Sequence, residues 1–319
     1  MEAICAQLTF ELKKFNAHKK SIRSVFIGGG TPSTIEATLY TPFFTLLKPY
    51  LSKGAEITSE ANPHSASMQW LSGMKALGVN RVSFGVQSFD AKKLTFLGRN
   101  HTSSMAIEAI HTAYNLGILN ISLDLIYATA VDTLTLLEND LRIARSLPIN
   151  HLSAYALTLE EETPFFKQAN VTNPSEALAK AFVKKIINTG FAHYEISNFG
   201  TYQSRHNKGY WEQDDYIGIG CGAVGFLKDK RFYPSKNVDT YIQNPLFQES
   251  ELLSSEDLAV ERIFLGLRSV IGIDETLLSP SQKEKATLLV KEKKLTCEEG
   301  RLYNSDYFLS DEIALFILG

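Results

Sequence analysis

The feature that most constrains the fold of this chain is a regular alternation of short apolar strands with helical segments. The strand-like runs lie near residues 24–27, 56–60, 81–86, 120–126 and 151–155. The helical segments between them lie near residues 35–50, 67–77, 90–116 and 133–147. Repeated β-α units of this kind predict an α/β protein with a parallel sheet covered by helices.

The alternation ends after about residue 172. A helix is predicted near 175–189, followed by the strand-like Tyr194-Glu195-Ile196 and by an aromatic, glycine-rich stretch from His206 to Phe226. From Ser254 the apolar spacing becomes helical again. We therefore predict two domains, 1–235 and a small α-rich C-terminal domain at 236–319.

Composition excludes several classes of protein. The 32 basic residues are balanced by 35 acidic ones, so no basic surface for nucleic acid is expected. The apolar runs are far shorter than the roughly 20 residues that span a bilayer, and Met1 is not followed by a secretory signal. We expect a cytoplasmic protein. The three cysteines, Cys5, Cys221 and Cys297, lie far apart in the sequence. We therefore expect them to be small buried side chains, and not disulfides or metal ligands.

Polar residues follow the ends of successive predicted strands. They are Thr31, Glu60, Gln87, Asp124 and Thr158. In α/β barrels the sites lie at this edge of the sheet. Carboxylates suit an ammonium group or hydroxyls, and the guanidinium of Arg99 suits a carboxylate, so an amino-acid-bearing nucleoside would satisfy the set. A plain Glu60–Arg99 ion pair and a glycine turn at 28–30 without any ligand remain the structural alternatives.

A second motif is His206-Asn207-Lys208-Gly209-Tyr210-Trp211. A neutral imidazole is a good axial ligand for haem iron, and flat aromatic rings can pack against the macrocycle. The alternative is a surface histidine beside aromatic residues of the core. The other six histidines lack such a setting, and we expect them to be solvated or to cap helices.

These residues lie in blocks that resemble a known family. The blocks are Gly28 to Ser33, Glu60-Ala61-Asn62-Pro63, Gly85-Val86-Gln87-Ser88-Phe89, Leu97-Gly98-Arg99 and Leu123-Asp124-Leu125-Ile126-Tyr127. In order and spacing they are similar to blocks of the HemW haem chaperones and of oxygen-independent coproporphyrinogen III oxidase, members of the radical S-adenosylmethionine (SAM) superfamily. The resemblance implies an open parallel (β/α) barrel that binds SAM.

The resemblance also implies roles for individual residues. The residues that it assigns to the amino end of the SAM methionine are Gly29, Gly30, Thr31 and Glu60. It assigns Arg99 to the methionine carboxylate, and Gln87 and Asp124 to the ribose hydroxyls. Thr158 would be a further SAM contact.

The histidine motif resembles the HNxxYW signature of the chaperones, which separates them from the oxidase and its iron-free porphyrinogen substrate. The resemblance makes His206 the ligand of the haem iron, with Tyr210 and Trp211 against the porphyrin. The block Gly218 to Gly225 is similar to a family GIGxGAHG segment that closes over the cofactor, but Val224 replaces its histidine.

The sequence departs from the family in two places. The family begins with a strand and a CxxxCxxC loop that ligates a 4Fe–4S cluster, and this chain has neither; one thiolate at Cys5 cannot replace three. Without that first strand, strand 24–27 should be an edge of the sheet, so our hypothesis is a late start or a fragment of a longer protein. The second departure is Tyr127 to Thr133, where the family has Gly-Leu-Pro-Gly-Gln.

The resemblance predicts haem binding and delivery to apo-haemoproteins of the respiratory-chain type, with SAM and, in a longer form, a 4Fe–4S cluster. This function requires no enzyme activity of the chain. One alternative is oxidative decarboxylation of coproporphyrinogen III, which needs the cluster. Another is a cluster-free SAM-binding remnant. Homodimer formation and peripheral association with a membrane are left open by the sequence.

Overall fold

The computed structural model describes residues 1–159, 165 and 170–319. Its α-helices are α1 (Glu2–Lys14), α2 (Thr41–Leu47), α3 (Met68–Leu77), α4 (Ala91–Phe96), α5 (Ser103–Asn115), α6 (Leu134–Ser146), α7 (Glu176–Asn188), α8 (Arg205–Trp211), α9 (Val238–Gln243), α10 (Ser255–Leu267), α11 (Pro280–Lys291) and α12 (Ser310–Leu318). Short 3-10 helices cover Pro32–Thr34, Ala37–Tyr40, Lys48–Tyr50, Glu275–Leu277 and Tyr307–Leu309.

The strands form three sheets. They are β1 (Ile22–Ile27), β2 (Leu51–Ala61), β3 (Arg81–Gln87), β4 (Asn120–Tyr127), β5 (His151–Ala156), β6 (Ala192–Glu195), β7 (Asn198–Gly200), β8 (Gly225–Leu227), β9 (Lys230–Pro234), β10 (Gln248–Leu252), β11 (Ile273–Asp274), β12 (Leu295–Glu298) and β13 (Arg301–Asn304). The largest sheet has seven strands in the order β1-β2-β3-β4-β5-β7-β6 and is curled into a half-barrel. Strands β2 to β5 pair in parallel, and β7 and β6 are added antiparallel.

The predicted parallel sheet is confirmed, and β1 lies at its edge as expected. Two predicted helices are shorter than the sequence indicated. The segment 35–50 contains two 3-10 turns around the seven-residue α2, and the segment 90–116 divides into α4 and α5. The second division has a local cause, because Gly98 adopts a left-handed φ of 64° after α4 and the Thr102 side chain caps α5.

The core of the large sheet consists of apolar strand residues covered by helices. Val82, Phe84, Ile121, Leu123 and Leu152 are fully buried on β3, β4 and β5. The fully buried helical side chains that accompany them include Leu71, Met74 and Ile110. Burial of this apolar surface is the main force that holds the strands in register and hence positions the residues at their ends.

Within the described residues the chain divides into two compact units. One comprises Ser24–Leu39 and Glu56–Gln203, and the other comprises Met1–Arg23, Tyr40–Ala55 and Ser204–Gly319. In the second unit, α10, α11 and α12 share a core with the antiparallel sheet β11-β13-β12. A domain boundary at 235/236 stays a prediction.

The cysteines do not have the buried positions that we expected. Cys5 and Cys221 are half-buried and Cys297 is exposed, with its Sγ 3.3 Å from the Glu275 carboxylate. The prediction of buried side chains was therefore wrong for all three, and most clearly for Cys297 in the β12–β13 hairpin. No helix in the described part of the chain is long and apolar enough to cross a bilayer.

Candidate functional site

A row of polar side chains crosses one face of the seven-stranded sheet. The strand pairing places Glu60 opposite Ser83, Asp124 opposite Ser153, and Ser153 opposite Asn198. Directly paired residues present their side chains on the same face of a sheet. The row is connected, because the Ser83 hydroxyl donates to Asp124 at 3.2 Å and Ser153 donates to the same carboxylate.

Glu60 at the end of β2 faces the glycine turn that follows β1. The backbone N–H of Gly29 donates to the Glu60 carboxylate. Gly29 and Gly30 adopt φ values of 79° and 59°, in the left-handed region that favours glycine. Burial raises the pKa of Glu60, and the nearby charge of Asp124 raises it further. The structure thus brings the predicted glycine turn and Glu60 together.

Asp124 and Arg99 lie close enough to influence each other's charge. Burial raises the pKa of Asp124, although the hydroxyls of Ser153 and Ser83 and the guanidiniums of Arg81 and Arg99 oppose this change. Burial also lowers the pKa of Arg99, which Asp124 opposes. Glu60 and Asp124 therefore form a pair of carboxylates whose ionised forms a bound cation would stabilise.

Two side-chain atoms at this edge are buried without a hydrogen-bond partner among the described residues. They are Oε1 of Gln87 and Nε of Arg99. Gln87 has a left-handed φ of 68° at the end of β3, and its amide lies against Gly85, where a Cβ would come within 3.2 Å of Nε2. The Glu60–Arg99 ion pair, the structural alternative to a ligand site, is absent from the described residues, so both side chains retain capacity for a ligand.

The two predicted threonines are placed differently. The Thr31 carbonyl accepts hydrogen bonds from the backbone N–H and the hydroxyl of Thr34, at the start of a 3-10 turn directly after Gly30. Thr158 is exposed beyond β5, and its hydroxyl donates to the Ala156 carbonyl at 3.4 Å. The described contacts do not join Thr158 to the polar row, and its role as a SAM contact stays a prediction.

Three residues that the sequence analysis did not single out extend the row. Glu195 is 1% exposed, and burial raises its pKa to about 7. Asn198 donates to Glu195, and the Tyr155 hydroxyl interacts with both Asn198 and Ser153 while burial raises its pKa. An acid between the apolar neighbours Tyr194 and Ile196 was the available signal for Glu195.

The expectation that His101 and His151 are solvated or cap helices was wrong, because both are buried. Nε2 of His101 lies 2.9 Å from the Val86 carbonyl, and burial lowers the pKa of this histidine. Both ring nitrogens of His151 have partners, namely the hydroxyls of Ser122 at 2.7 Å and Tyr194 at 2.6 Å. A neutral imidazole whose two nitrogens both have hydrogen-bond partners, as in His151, can be buried at a small cost in free energy. Burial lowers the pKa of His151 well below its usual value.

The loop that departs from the family, residues 127–133, is held by a buried cation. Nζ of Lys93 lies 2.6 Å from the Ile126 carbonyl and 2.7 Å from Oδ1 of Asp132, and its side chain is completely buried. Ala128 adopts a left-handed φ of 61°. The ion pair and the main-chain contacts of Asp132 therefore keep an unfavourable backbone conformation directly after β4.

The histidine motif lies in the short helix α8, which Ser204 caps. The Ser204 hydroxyl accepts from the Asn207 N–H at 3.3 Å. His206 and Tyr210, four residues apart, share one helix face, with ring centroids 4.7 Å apart. The ring of Tyr210 in turn contacts Tyr216 edge-to-face at 4.7 Å. An imidazole beside aromatic rings that meet edge-to-face is suited to a flat, metal-containing ligand.

The glycine block at 218–225 is held by Gln7, a residue that the sequence analysis passed over. Gln7 is completely buried on α1. Its amide donates to the Gly218 carbonyl at 3.3 Å and accepts from the Gly220 N–H at 2.8 Å and the Tyr241 hydroxyl at 2.7 Å. A single polar residue among the apolar positions of a helix gave no clear signal for this contact.

Comparison with known proteins identifies the family of this chain. A model of the Radical SAM superfamily matches residues 6–144. A curated relative, "Heme chaperone HemW" of Lactococcus lactis subsp. lactis, is 30% identical over 96% of this chain and 86% of its own length. This chain belongs to the HemW family. A second member, from Bacillus subtilis, is 30% identical over 89% of this chain and 80% of its length, and one from Escherichia coli is 38% identical over 66% and 57%.

The fold of this HemW family member has a solved counterpart. The structure of coproporphyrinogen III oxidase (HemN) from Escherichia coli, a radical SAM enzyme, matches with a TM-score of 0.80, covering 99% of this chain and 82% of the other. The two chains are 16% identical. At this level the similarity demonstrates the radical SAM fold, and it carries no conclusion about the substrate.

Membership of the radical SAM superfamily implies SAM and a 4Fe–4S cluster as cofactors. The residues at the strand ends fit SAM, since they combine two carboxylates, a guanidinium and an amide oxygen that has no hydrogen-bond partner within the described ranges. The described residues do not fit the cluster. They contain no group of three or more histidine, cysteine, aspartate or glutamate side chains that could hold a metal ion.

Proposed function

We propose that this chain is a haem chaperone that binds haem and transfers it to apo-haemoproteins, and that it binds SAM at the ends of its parallel strands. The observation that carries the proposal is its 30% identity, over nearly its whole length, with a curated haem chaperone. The two sites are argued separately below, because they depend on different residues.

The SAM site rests on the electrostatics of Glu60 and Asp124. Burial raises the pKa of each carboxylate, and the nearby charge of Asp124 raises the pKa of Glu60 further. The methionine ammonium of SAM would interact with Glu60 and Gly29 to Thr31, and the ribose hydroxyls with Asp124 and Gln87. Arg99, whose Nε lacks a partner among the described residues, would hold the methionine carboxylate. When bound, SAM supplies a sulfonium nucleoside.

Calorimetric titration with SAM tests this site. We expect Glu60→Gln and Arg99→Gln each to weaken binding at least tenfold, whereas Glu108→Gln, an exposed change on α5, leaves it unchanged. Binding by the wild-type chain should also weaken as the pH falls through the raised pKa values of Glu60 and Asp124, since protonation removes the acceptors. Equal affinities for all variants would show that SAM binds elsewhere or not at all.

The haem site rests on His206. Its ring lies against Tyr210 on one face of α8, so a haem placed there would have an imidazole for its iron and an aromatic ring beside it. Tyr210 is 41% exposed, which leaves ring surface for a ligand.

Absorption titration with haem tests this ligand. We expect His206→Ala to weaken haem binding at least tenfold and to shift the Soret band, because an axial ligand is lost. His111→Ala is the matched control, since His111 is exposed on α5. If His206→Ala binds haem as the wild type does, His206 is not the ligand. If the wild-type chain binds SAM but no haem, the chaperone proposal is wrong and a SAM-binding role remains.

A further inference from the structure

A cleft of about 570 Å³ opens beside the last residue of the histidine motif. The lining residues that matter here are Trp211, Arg262, Gly272, Arg301 and Tyr303. Pockets for medium-sized organic ligands have volumes of roughly 300–1,000 Å³. The cleft is therefore large enough for a flat polycyclic molecule, and it lies wholly within one compact unit.

Two aromatic side chains contribute flat surfaces to this cleft. Trp211 is half-buried, and its Nε1 is buried without a hydrogen-bond partner in the described part of the chain. The Tyr303 ring is fixed by Gly272, where an added Cβ would lie 2.8 Å from the ring and 2.5 Å from the Leu302 carbonyl. Gly272 also has a left-handed φ of 66°, so this wall of the cleft depends on glycine at that position.

Two guanidinium groups in the cleft retain most of their hydrogen-bonding capacity. Nε of Arg262 donates to Oε1 of Gln213 at 2.7 Å, and Nη1 of Arg301 donates to the Ile271 carbonyl at 2.8 Å. Each guanidinium has five N–H donors, and the described residues show no further hydrogen bond for either one. Planar forks of this kind match carboxylates.

The acidic residues in the cleft leave this capacity available. Asp274 lies near Arg301, but its Oδ1 accepts from the backbone N–H and the hydroxyl of Thr276 at 2.9 and 2.6 Å. Glu212 lines the cleft and makes no ion pair among the described residues. The cleft thus combines flat rings with two guanidiniums that make no ion pair with any residue that the structure describes.

We propose that this cleft binds the carboxylate-bearing edge of a porphyrin, with Trp211 against the ring and Arg262 and Arg301 on the carboxylates. The inference rests on the proposed haem function and adds a second point of recognition to it. Trp211 follows His206 by five residues, so the two side chains project about 140° apart around α8. Trp211 and the cleft that it lines therefore lie on a different face of α8 from His206. The contacts proposed for the cleft, a ring face and two carboxylates, do not require the iron.

Fluorescence titration with iron-free protoporphyrin IX tests the cleft directly. We expect Arg262→Gln and Arg301→Gln each to weaken binding about tenfold, as loss of one charge-assisted contact predicts. Arg268→Gln is the matched control, because Arg268 pairs with Asp311 and does not line the cleft.

The outcomes separate this inference from the proposed function. If the wild-type chain binds neither haem nor the iron-free porphyrin, both are wrong. If it binds haem but not the iron-free porphyrin, or if both arginine variants bind the latter as the wild type does, only the cleft is wrong. Arg262 is exposed, so its substitution reports on binding even if Arg301→Gln disturbs the fold.

Discussion

The carboxyl carbon of Glu60 lies 3.2 Å from the point that a Cβ on Gly28 would occupy, and the Phe26 ring lies only 2.5 Å from the same point. The turn after β1 therefore approaches Glu60 as closely as a residue without a side chain permits. This spacing, together with the N–H of Gly29, determines where the carboxylate lies.

Gly28→Ala should consequently weaken SAM binding. The added methyl group displaces Phe26 or the Glu60 carboxyl group, and we expect at least a tenfold loss of affinity in calorimetric titration. Gly54→Ala is the control: Gly54 has a left-handed φ of 74° with no atom near its Cβ position, so that change costs about 1 kcal/mol of stability without affecting SAM. Unchanged affinity in Gly28→Ala would show that the turn does not position Glu60 for a ligand.

Glu195 should make the stability of the protein depend on pH. Its pKa is about 7 in the folded state, above its usual value of 4.5, so between these values the folded chain holds a proton that the unfolded chain releases. The contribution of Glu195 to the free energy of unfolding is fully present below pH 4.5. It declines as the pH rises toward 7, by on the order of 3 kcal/mol. Glu195→Gln, which resembles the protonated acid, should lack this decline.

Urea unfolding at pH 5 and pH 8 measures the difference. The wild type should lose more stability between these values than Glu195→Gln, and the exposed control Glu108→Gln should follow the wild type. Parallel curves for wild type and Glu195→Gln would contradict the raised pKa.

Gln7→Leu should destabilise the unit that contains α1 and the glycine block. The substitution leaves the Gly220 N–H, the Gly218 carbonyl and the Tyr241 hydroxyl without their buried partner. We expect a loss of about 2–4 kcal/mol, measured by urea unfolding. The same change at the exposed Gln69 on α3 should cost less than about 0.5 kcal/mol. Equal effects at the two positions would show that the Gln7 contacts are dispensable.

Lys93→Met should destabilise the loop after β4. Removing the cation leaves the buried Asp132 and Asp140 carboxylates uncompensated, which costs about 3–5 kcal/mol. Lys92→Met, at the exposed neighbouring position, should have little effect. Adding Asp132→Asn to Lys93→Met should recover part of the loss in urea unfolding. No recovery would mean that the cost arises from packing alone.

The residues at the strand ends show how much of the site could be predicted from local sequence patterns. The apolar runs at 81–86 and 120–126 predicted β3 and β4, and the rule that sites lie at the ends of parallel strands led to Glu60, Gln87 and Asp124. Helix interruptions were harder to foresee, because the break between α4 and α5 depends on the φ of Gly98 and on a cap at Thr102. Such features carry only a weak signal in a pattern of apolar residues.

The sequence by itself determined the parallel sheet, the family and the polar residues at the strand ends, because hydrophobic periodicity and motif spacing are local properties of the chain. The tertiary structure alone revealed the burial of His151, the contact of Gln7 with Gly220 and the cleft beside Trp211. Gln7 and Gly220 lie 213 positions apart in the chain. Contacts between such distant segments decide whether a polar group is buried and which partner it hydrogen-bonds to. These contacts depend on how the whole core packs, which no local pattern in the sequence specifies.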